Sequence, residues 1–132
     1  AAAELYATST DAEIMDQGAI PLHGVLADLA GRSGGEIETR LIRRTNSQIR
    51  LMSFPDRPSE VQAVPAVPVE GPGIAHVCIQ VADETNTYDR FLAAGATHIG
   101  DQNLVQLRPN NPVRYGYVKD GDGIIIEIEQ ID

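Results

Sequence analysis

The chain has 132 residues, 42% of them apolar, so it is long enough for one globular core and too apolar for a disordered protein. Lys and Arg number 10 and Asp and Glu 19, and the formal net charge of −9 disfavours nucleic-acid and anionic-membrane partners and favours cationic ligands. No apolar run approaches the ~20 residues of a membrane span, no signal peptide is visible, and the single cysteine, Cys78, forms no internal disulfide. We therefore predict a cytoplasmic protein.

The first half of the chain predicts a short strand, a helix and a hairpin. Residues 4–9 have the composition of a short strand, and the stretch LHGVLADLAG (22–31) places apolar residues at helical spacing before a final glycine. Residues 36–54 alternate in two runs around a Thr-Asn-Ser turn, which predicts a hairpin. Most of the eight prolines follow in residues 55–72, so this segment is predicted to be an extended linker.

The second half begins with a strand and a helix. Residues 73–81 alternate, so that His76 and Cys78 lie on one face of the predicted strand and apolar residues lie on the other. Residues 82–96 have the apolar spacing and the terminal glycine of a helix. A short strand at 97–100 follows.

The chain ends in a second hairpin, which aligns with the first. Its turn is the Asp-Gly-Asp-Gly stretch at 120–123. Residues 41–51 align with residues 118–128 without a gap, an offset that places Arg50 on Glu127. Because a short strand precedes each copy, we predict two related modules.

These modules define the predicted domain organisation. Residues 1–132 form a single domain, with module one at 1–54, the linker at 55–72 and module two at 73–132. Module two has the order β-α-β-β-β. Module one is predicted to lack its first strand and its helix, because its first predicted strand begins at Glu4.

The second half resembles the vicinal oxygen chelate superfamily, which includes glyoxalase I, bleomycin-resistance proteins and extradiol dioxygenases. The matching stretches are GIAHVCIQVAD (73–83), YDRFLAAGA (88–96) and YVKDGDGIIIEIEQ (117–130), although Gly121 stands where the family typically has a proline. The resemblance implies an α+β fold of paired βαβββ modules whose sheets curve into an open, barrel-like shape.

The resemblance also implies a divalent metal site. His76 and Glu127 fall on the family's ligand positions in module two, and Glu127 is then also the candidate catalytic residue. An imidazole with a carboxylate suits Zn, Fe, Ni, Mn or Co, with solvent in the open positions. In module one the corresponding last-strand position is Arg50, whose guanidinium binds no metal, so the site is incomplete in this chain. Arg50, Tyr115 and Tyr117 are predicted to contact substrate.

Two functions follow from these residues. The leading prediction is a glyoxalase-like small-molecule enzyme of the lyase or isomerase kind, using a metal held partly by His76 and Glu127. The alternative is a metal-free protein that binds and sequesters a small molecule, as bleomycin-resistance proteins do, and a structural or regulatory partner domain is a third reading. An extradiol dioxygenase is disfavoured because the stretch LRPNNPVRYGY (107–117) has no histidine. An uncovered sheet edge in module one predicts a homodimer.

Both site residues also have ordinary explanations. His76 fits a core histidine with a satisfied hydrogen bond. Glu127 fits a solvent-facing residue of a strand that buries Ile126 and Ile128 on its other side.

Overall fold

The computed structural model describes residues 1–31, 34–56, 70–82, 85–100, 104–106 and 108–131. The chain divides into two compact units, a larger unit of Ala1–Asp11 with Ala63–Asp132 and a smaller unit of Ala12–Gln62. Most of the predicted linker, residues 57–69, lies outside the described residues. No helix within the described ranges is both long enough and apolar enough to cross a membrane.

The described residues of the larger unit form two helices and five strands. In chain order the elements of the whole chain are α1 (Ala2–Thr10), β1 (Glu13–Pro21), α2 (Val25–Ala30), β2 (Glu36–Arg43), β3 (Gln48–Ser53), β4 (Val77–Ala82), α3 (Thr87–Ala93), β5 (Thr97–Ile99), β6 (Val105–Gln106), β7 (Val113–Lys119) and β8 (Ile125–Ile131). In the larger unit the strand order is β4-β8-β7-β5, with β6 also paired to β7. Strand β4 runs parallel to β8, and the other pairs are antiparallel.

The core of the larger unit lies on one face of this sheet. Val118, Ile126 and Ile128 alternate inward and are 0% exposed, and each fully buried side chain of this size stabilises the fold by about 1.5–3 kcal/mol. Helix α3 lies on this face, because the Tyr88 backbone N–H donates to the Gln130 side-chain oxygen at 3.3 Å. The helix–sheet core therefore occupies the even-numbered side of β8 and leaves the odd-numbered side open.

Residues 2–10 form helix α1, so the strand predicted at residues 4–9 is wrong, and so is the expected absence of a helix from module one. The stretch is short enough for its alternation to fit a strand, but its alanines favour a helix. The helix buries one side against α3, where the rings of Tyr6 and Phe91 meet edge-on with centroids 5.8 Å apart. It ends at Asp11, which adopts a left-handed conformation (φ 55°) and donates its backbone N–H to the Ala7 carbonyl.

The smaller unit is a three-stranded antiparallel sheet in the order β1-β2-β3, with helix α2. The predicted helix and the predicted hairpin are both present. Strand β1 has no counterpart among the predicted elements, because nearly all of its residues are exposed and a bulge between Asp16 and Ala19 interrupts its alternation. The core of this unit consists of Leu22, Ala27 and Ile37, packed with Leu26, Ala30 and Phe54.

The two hairpins share a pairing register. The last strand pair before the turn is Arg43–Gln48 in the first hairpin and Lys119–Ile125 in the second. Strands β1 and β5 also begin opposite these positions, at Glu13 and Thr97 respectively. The α+β class with open sheets is thus confirmed, and the internal similarity extends from the helix that precedes each three-strand run to the last strand.

A one-residue difference in turn length corrects the ungapped alignment. The first turn spans residues 44–47 and the second spans residues 120–124. The offset therefore holds on the last strand, where Arg50 matches Glu127, but fails by one residue on the strand before it. Leu41, the partner of Arg50, corresponds to Tyr117, the partner of Glu127, and not to Val118.

Candidate functional site

Several polar and ionisable residues of the larger unit lie on the sheet face opposite helix α3. Strands β4, β8 and β7 lie side by side in a register that pairs Cys78 with Glu127, Gln80 with Glu129, Tyr117 with Glu127 and Tyr115 with Glu129. Directly paired residues project from the same face. We call this surface the open face; its side chains are those of His76, Cys78, Gln80, Tyr115, Tyr117, Glu127 and Glu129.

His76 and Glu127 are in direct contact at one end of the open face. The Nε2 atom of His76 lies 2.8 Å from the Oε2 atom of Glu127. The two side chains keep only 29% and 15% of their accessible surface, so the contact is partly withdrawn from water. The structure therefore brings together the two residues that the sequence singled out as the centre of the site.

Tyr117 is the third member of this group. Its hydroxyl donates to Glu127, and burial, this hydrogen bond and the Glu127 charge together raise the pKa of Tyr117 to about 12. Its ring meets the His76 ring edge-on at 5.5 Å between centroids and meets the Tyr115 ring in the same way at 6.0 Å. Glu127 is thus held by two donors beside a row of three aromatic rings.

A second polar group lies one rung further along the same strands. The Gln80 side-chain amide donates to Glu129 at 3.0 Å, and the Cys78 thiol also hydrogen-bonds to Glu129. Burial raises the pKa of the Cys78 thiol to about 11, together with the negative charges of Glu129 and Glu127 and this hydrogen bond. Cys78 was not among the predicted site residues, although its place beside His76 on the polar face of the predicted strand was a signal for this contact.

His76 and Glu127 supply only part of the ligands that a metal ion needs. His76 and Glu127 are two suitable ligands, but no group of three His, Cys, Asp or Glu side chains that could hold a metal exists among the described residues. The second ring nitrogen of His76, Nδ1, is buried and has no hydrogen-bond partner within the described part of the chain. Leaving a buried N–H unsatisfied costs about 1–3 kcal/mol, and metal-ligating histidines almost always donate this second N–H to an acceptor. We therefore derive no chemical step through a metal.

Arg50 belongs to the smaller unit, where it is exposed on β3 opposite Leu41. Its register position corresponds to that of Glu127, as the hairpin comparison predicts. A cation therefore stands in the first hairpin where the second has the carboxylate.

Among the solved structures that are similar to this chain are three from bacteria. A glyoxalase family protein from Bacillus cereus is similar with a TM-score of 0.66 at 22% identity, over 89% of this chain and 78% of that one. TioX from Micromonospora is similar with a TM-score of 0.55 at 18% identity, over 99% and 88% of the two chains. A member of the glyoxalase/bleomycin resistance protein/dioxygenase superfamily from Sphaerobacter thermophilus is similar with a TM-score of 0.55 at 12% identity, over 98% and 85%.

No protein-family model and no curated protein matches the chain. At these identities the similarity of the solved structures concerns the fold. The protein therefore has the fold of the glyoxalase/bleomycin resistance protein/dioxygenase superfamily, in agreement with the resemblance of its second half.

Proposed function

We propose that the protein binds a small organic molecule on the open face and that Glu127 is the anchor of that molecule. The observation that carries the proposal is the state of Glu127, a partly exposed carboxylate already oriented by His76 and Tyr117. A carboxylate offers about four acceptor positions, so these two donors leave room for a donor group of a ligand. Because the carboxylate is pre-oriented, little side-chain entropy is lost when the ligand binds.

The surroundings of Glu127 favour a ligand with a planar or apolar body and a cationic or hydrogen-bond-donating group. Tyr115 and Tyr117 present aromatic surface, on which cations and planar groups bind favourably. Glu129 adds a second carboxylate on the same face, and the chain carries a net charge of −9. This chemistry is that of a metal-free protein that sequesters a small molecule.

Calorimetric titration with a panel of planar aromatic cations tests the proposal. We expect saturable binding by the wild type, and we expect Glu127→Gln to weaken it by about 10- to 100-fold, because a charge-assisted hydrogen bond contributes about 1.5–3 kcal/mol. Glu4→Gln, an exposed change on helix α1, should leave the affinity unchanged. Absence of saturable binding throughout the panel, or equal affinities for wild type and Glu127→Gln, would overturn the proposal.

A proton-transferring enzyme of the lyase or isomerase kind is the second candidate. It is favoured by the 2.8 Å contact between His76 and Glu127, since a base oriented by a second residue is a common catalytic arrangement. Glu127 would accept a proton from a carbon of the bound molecule and return it to the product. Exchange of that hydrogen for deuterium in heavy water, seen with the wild type and abolished by Glu127→Gln, distinguishes this candidate from simple sequestration.

Two further assignments remain proposals. Arg50 is proposed to bind an anionic group of a small molecule, because its guanidinium is exposed on β3. The protein is also proposed to be a homodimer. In the larger unit β4 covers the outer edge of β8, whereas the corresponding edge of β3 has no strand partner among the described residues.

A further inference from the structure

We propose that His76 is a positioning residue and not a metal ligand: its Nε2–H donates to Glu127 and fixes that carboxylate, so that the open face works without a metal ion. This inference concerns the same face as the proposed function and deepens it. Its primary test needs no ligand, so it can fail while the binding proposal stands.

The contact between His76 and Glu127 fits a hydrogen bond from one tautomer of the histidine. At 2.8 Å, the His76 Nε2 and the Glu127 Oε2 are at hydrogen-bonding distance. An imidazole nitrogen without a proton and a carboxylate oxygen both present lone pairs and repel each other, whereas a proton on Nε2 makes the contact favourable. A proton in that place occupies the lone pair through which Nε2 would bind a metal.

The other ring nitrogen of His76, Nδ1, lies where a proton would have no acceptor among the described residues. Metal binding through Nε2 would move the ring proton to Nδ1, which is buried without an acceptor among the described residues. Metal-ligating histidines normally have a carboxylate, a carbonyl or a water at that position, which fixes the ring and its tautomer. The surroundings of His76 therefore favour the tautomer that donates from Nε2, which is the one that holds Glu127.

Around the His76–Glu127 pair, the described residues of the larger unit supply a further hydrogen-bond donor and no further metal ligand. Within the described ranges no third His, Cys, Asp or Glu joins His76 and Glu127. Tyr117, by contrast, supplies a second hydrogen bond to Glu127, so the carboxylate is held from two sides without a metal.

Nitrogen NMR of the full chain with labelled histidine rings tests the tautomer directly. We expect the His76 signals, assigned by their loss in His76→Gln, to show a protonated Nε2 and a bare Nδ1. Addition of Zn²⁺, Ni²⁺ or Mn²⁺ should neither invert this pattern nor shift the melting temperature in a way that depends on His76. The matched control is His98→Gln, a change at an exposed histidine on β5.

The same variants separate positioning from a general structural role. His76→Gln keeps an N–H donor and is expected to retain an affinity within about twofold of wild type for the planar aromatic cation that binds tightest in the titration. His76→Ala should lose about 5- to 10-fold, the size of a typical hydrogen bond. A proton found on Nδ1, or a divalent metal bound at one equivalent and released by His76→Ala but not by His98→Gln, would overturn the inference.

Discussion

The side chains of β8 alternate between two environments, and this alternation explains its composition. Ile126 and Ile128 pack in the core, while Glu127 and Glu129 project from the open face. Each glutamate meets its own donors: His76 and Tyr117 for the first, Gln80 and Cys78 for the second. The carboxylates of Glu127 and Glu129 therefore stay out of the core that Ile126 and Ile128 fill, although Ile125 and Ile131 share their face.

Cys78 is exposed, but its raised pKa predicts that its thiol reacts slowly with alkylating reagents. Burial and the charges of Glu129 and Glu127 raise the pKa of Cys78 to about 11, so little reactive thiolate exists near neutral pH. We expect alkylation by iodoacetamide at pH 7.5 to be about 10-fold slower than that of a small model thiol, because the loss of thiolate outweighs its higher nucleophilicity.

Substitution of the neighbouring carboxylate supplies the control for this prediction. Glu129→Gln removes a charge and a hydrogen bond that favour the thiol, and we expect it to accelerate alkylation several-fold. Glu4→Gln should not change the rate. A wild-type rate equal to that of the model thiol would contradict the assigned environment.

Single-residue features differed in how far the sequence predicted them. Alternation placed His76 and Cys78 on the polar face, and the family resemblance selected Glu127. The hydrogen bond between Cys78 and Glu129 depends on which residue of β4 lies beside which residue of β8. Neither strand encodes that parallel register by itself, because the two strands are separated by the helix and the other strands of module two.

Helix α1 is tied to the turn between β7 and β8 by one buried hydrogen bond. The Tyr6 hydroxyl donates to Asp120 Oδ2 at 3.1 Å. Asp120 Oδ1 accepts the backbone N–H groups of Asp122 and Ile124 at 3.0 and 2.8 Å. One carboxylate therefore orders the turn and fastens the first helix of the chain to the last hairpin.

The hydrogen bond between Tyr6 and Asp120 predicts that the free energy of unfolding falls at alkaline pH. Burial, with the charge and hydrogen bond of Asp120, raises the pKa of Tyr6 well above 10. The unfolded chain then loses the Tyr6 proton first, so the contribution of Tyr6 is complete below pH ~10 and declines above it. Tyr6→Phe should cost about 1–2 kcal/mol of unfolding free energy at pH 8.

Urea unfolding of both proteins at pH 8 and near pH 11 measures this effect. We expect the stability advantage of wild type over Tyr6→Phe to shrink by about 1 kcal/mol between these values. Other tyrosines titrate in both proteins and cancel in the comparison. An advantage that stays constant up to pH 11 would show that Tyr6 has an ordinary pKa.

For the whole molecule, the predicted relation between the two hairpins described the fold better than the predicted individual elements did. The hairpins and their relation were recognisable because turn residues and alternation are local signals. Helix α1 was misassigned because the helix propensity of its alanines is a weak signal in so short a stretch, and packing against α3, more than 80 residues later in the chain, adds to it. The ungapped alignment slipped by one residue on one strand because turn length cannot be inferred from strand similarity.

The proposed homodimer is expected to form through the edge of β3. Strand β1 carries a bulge and ends in Pro21, two features that protect sheet edges, whereas β3 has neither. We expect sedimentation velocity to show a dimer whose population rises with salt, because salt screens the repulsion between chains of net charge −9. A compact monomer at every concentration would contradict it.

A pair of lysine substitutions locates the interface. Met52→Lys places a charge on the exposed surface of β3 and should weaken the dimer. Val25→Lys makes the same change at an exposed position of α2 and should leave the dimer intact. Equal effects of the two changes would indicate that the interface does not involve β3.

The alternation of β8 has a consequence for how such a protein evolves. Its even-numbered residues lie in the core and its odd-numbered residues lie on the open face, so mutations of the two sets are expected to be nearly independent. A lineage can exchange Glu127 or Glu129 for other chemistry, and so acquire a new ligand, while Ile126 and Ile128 preserve the core. Changes of ligand chemistry and maintenance of folding stability thus depend on alternate positions of β8.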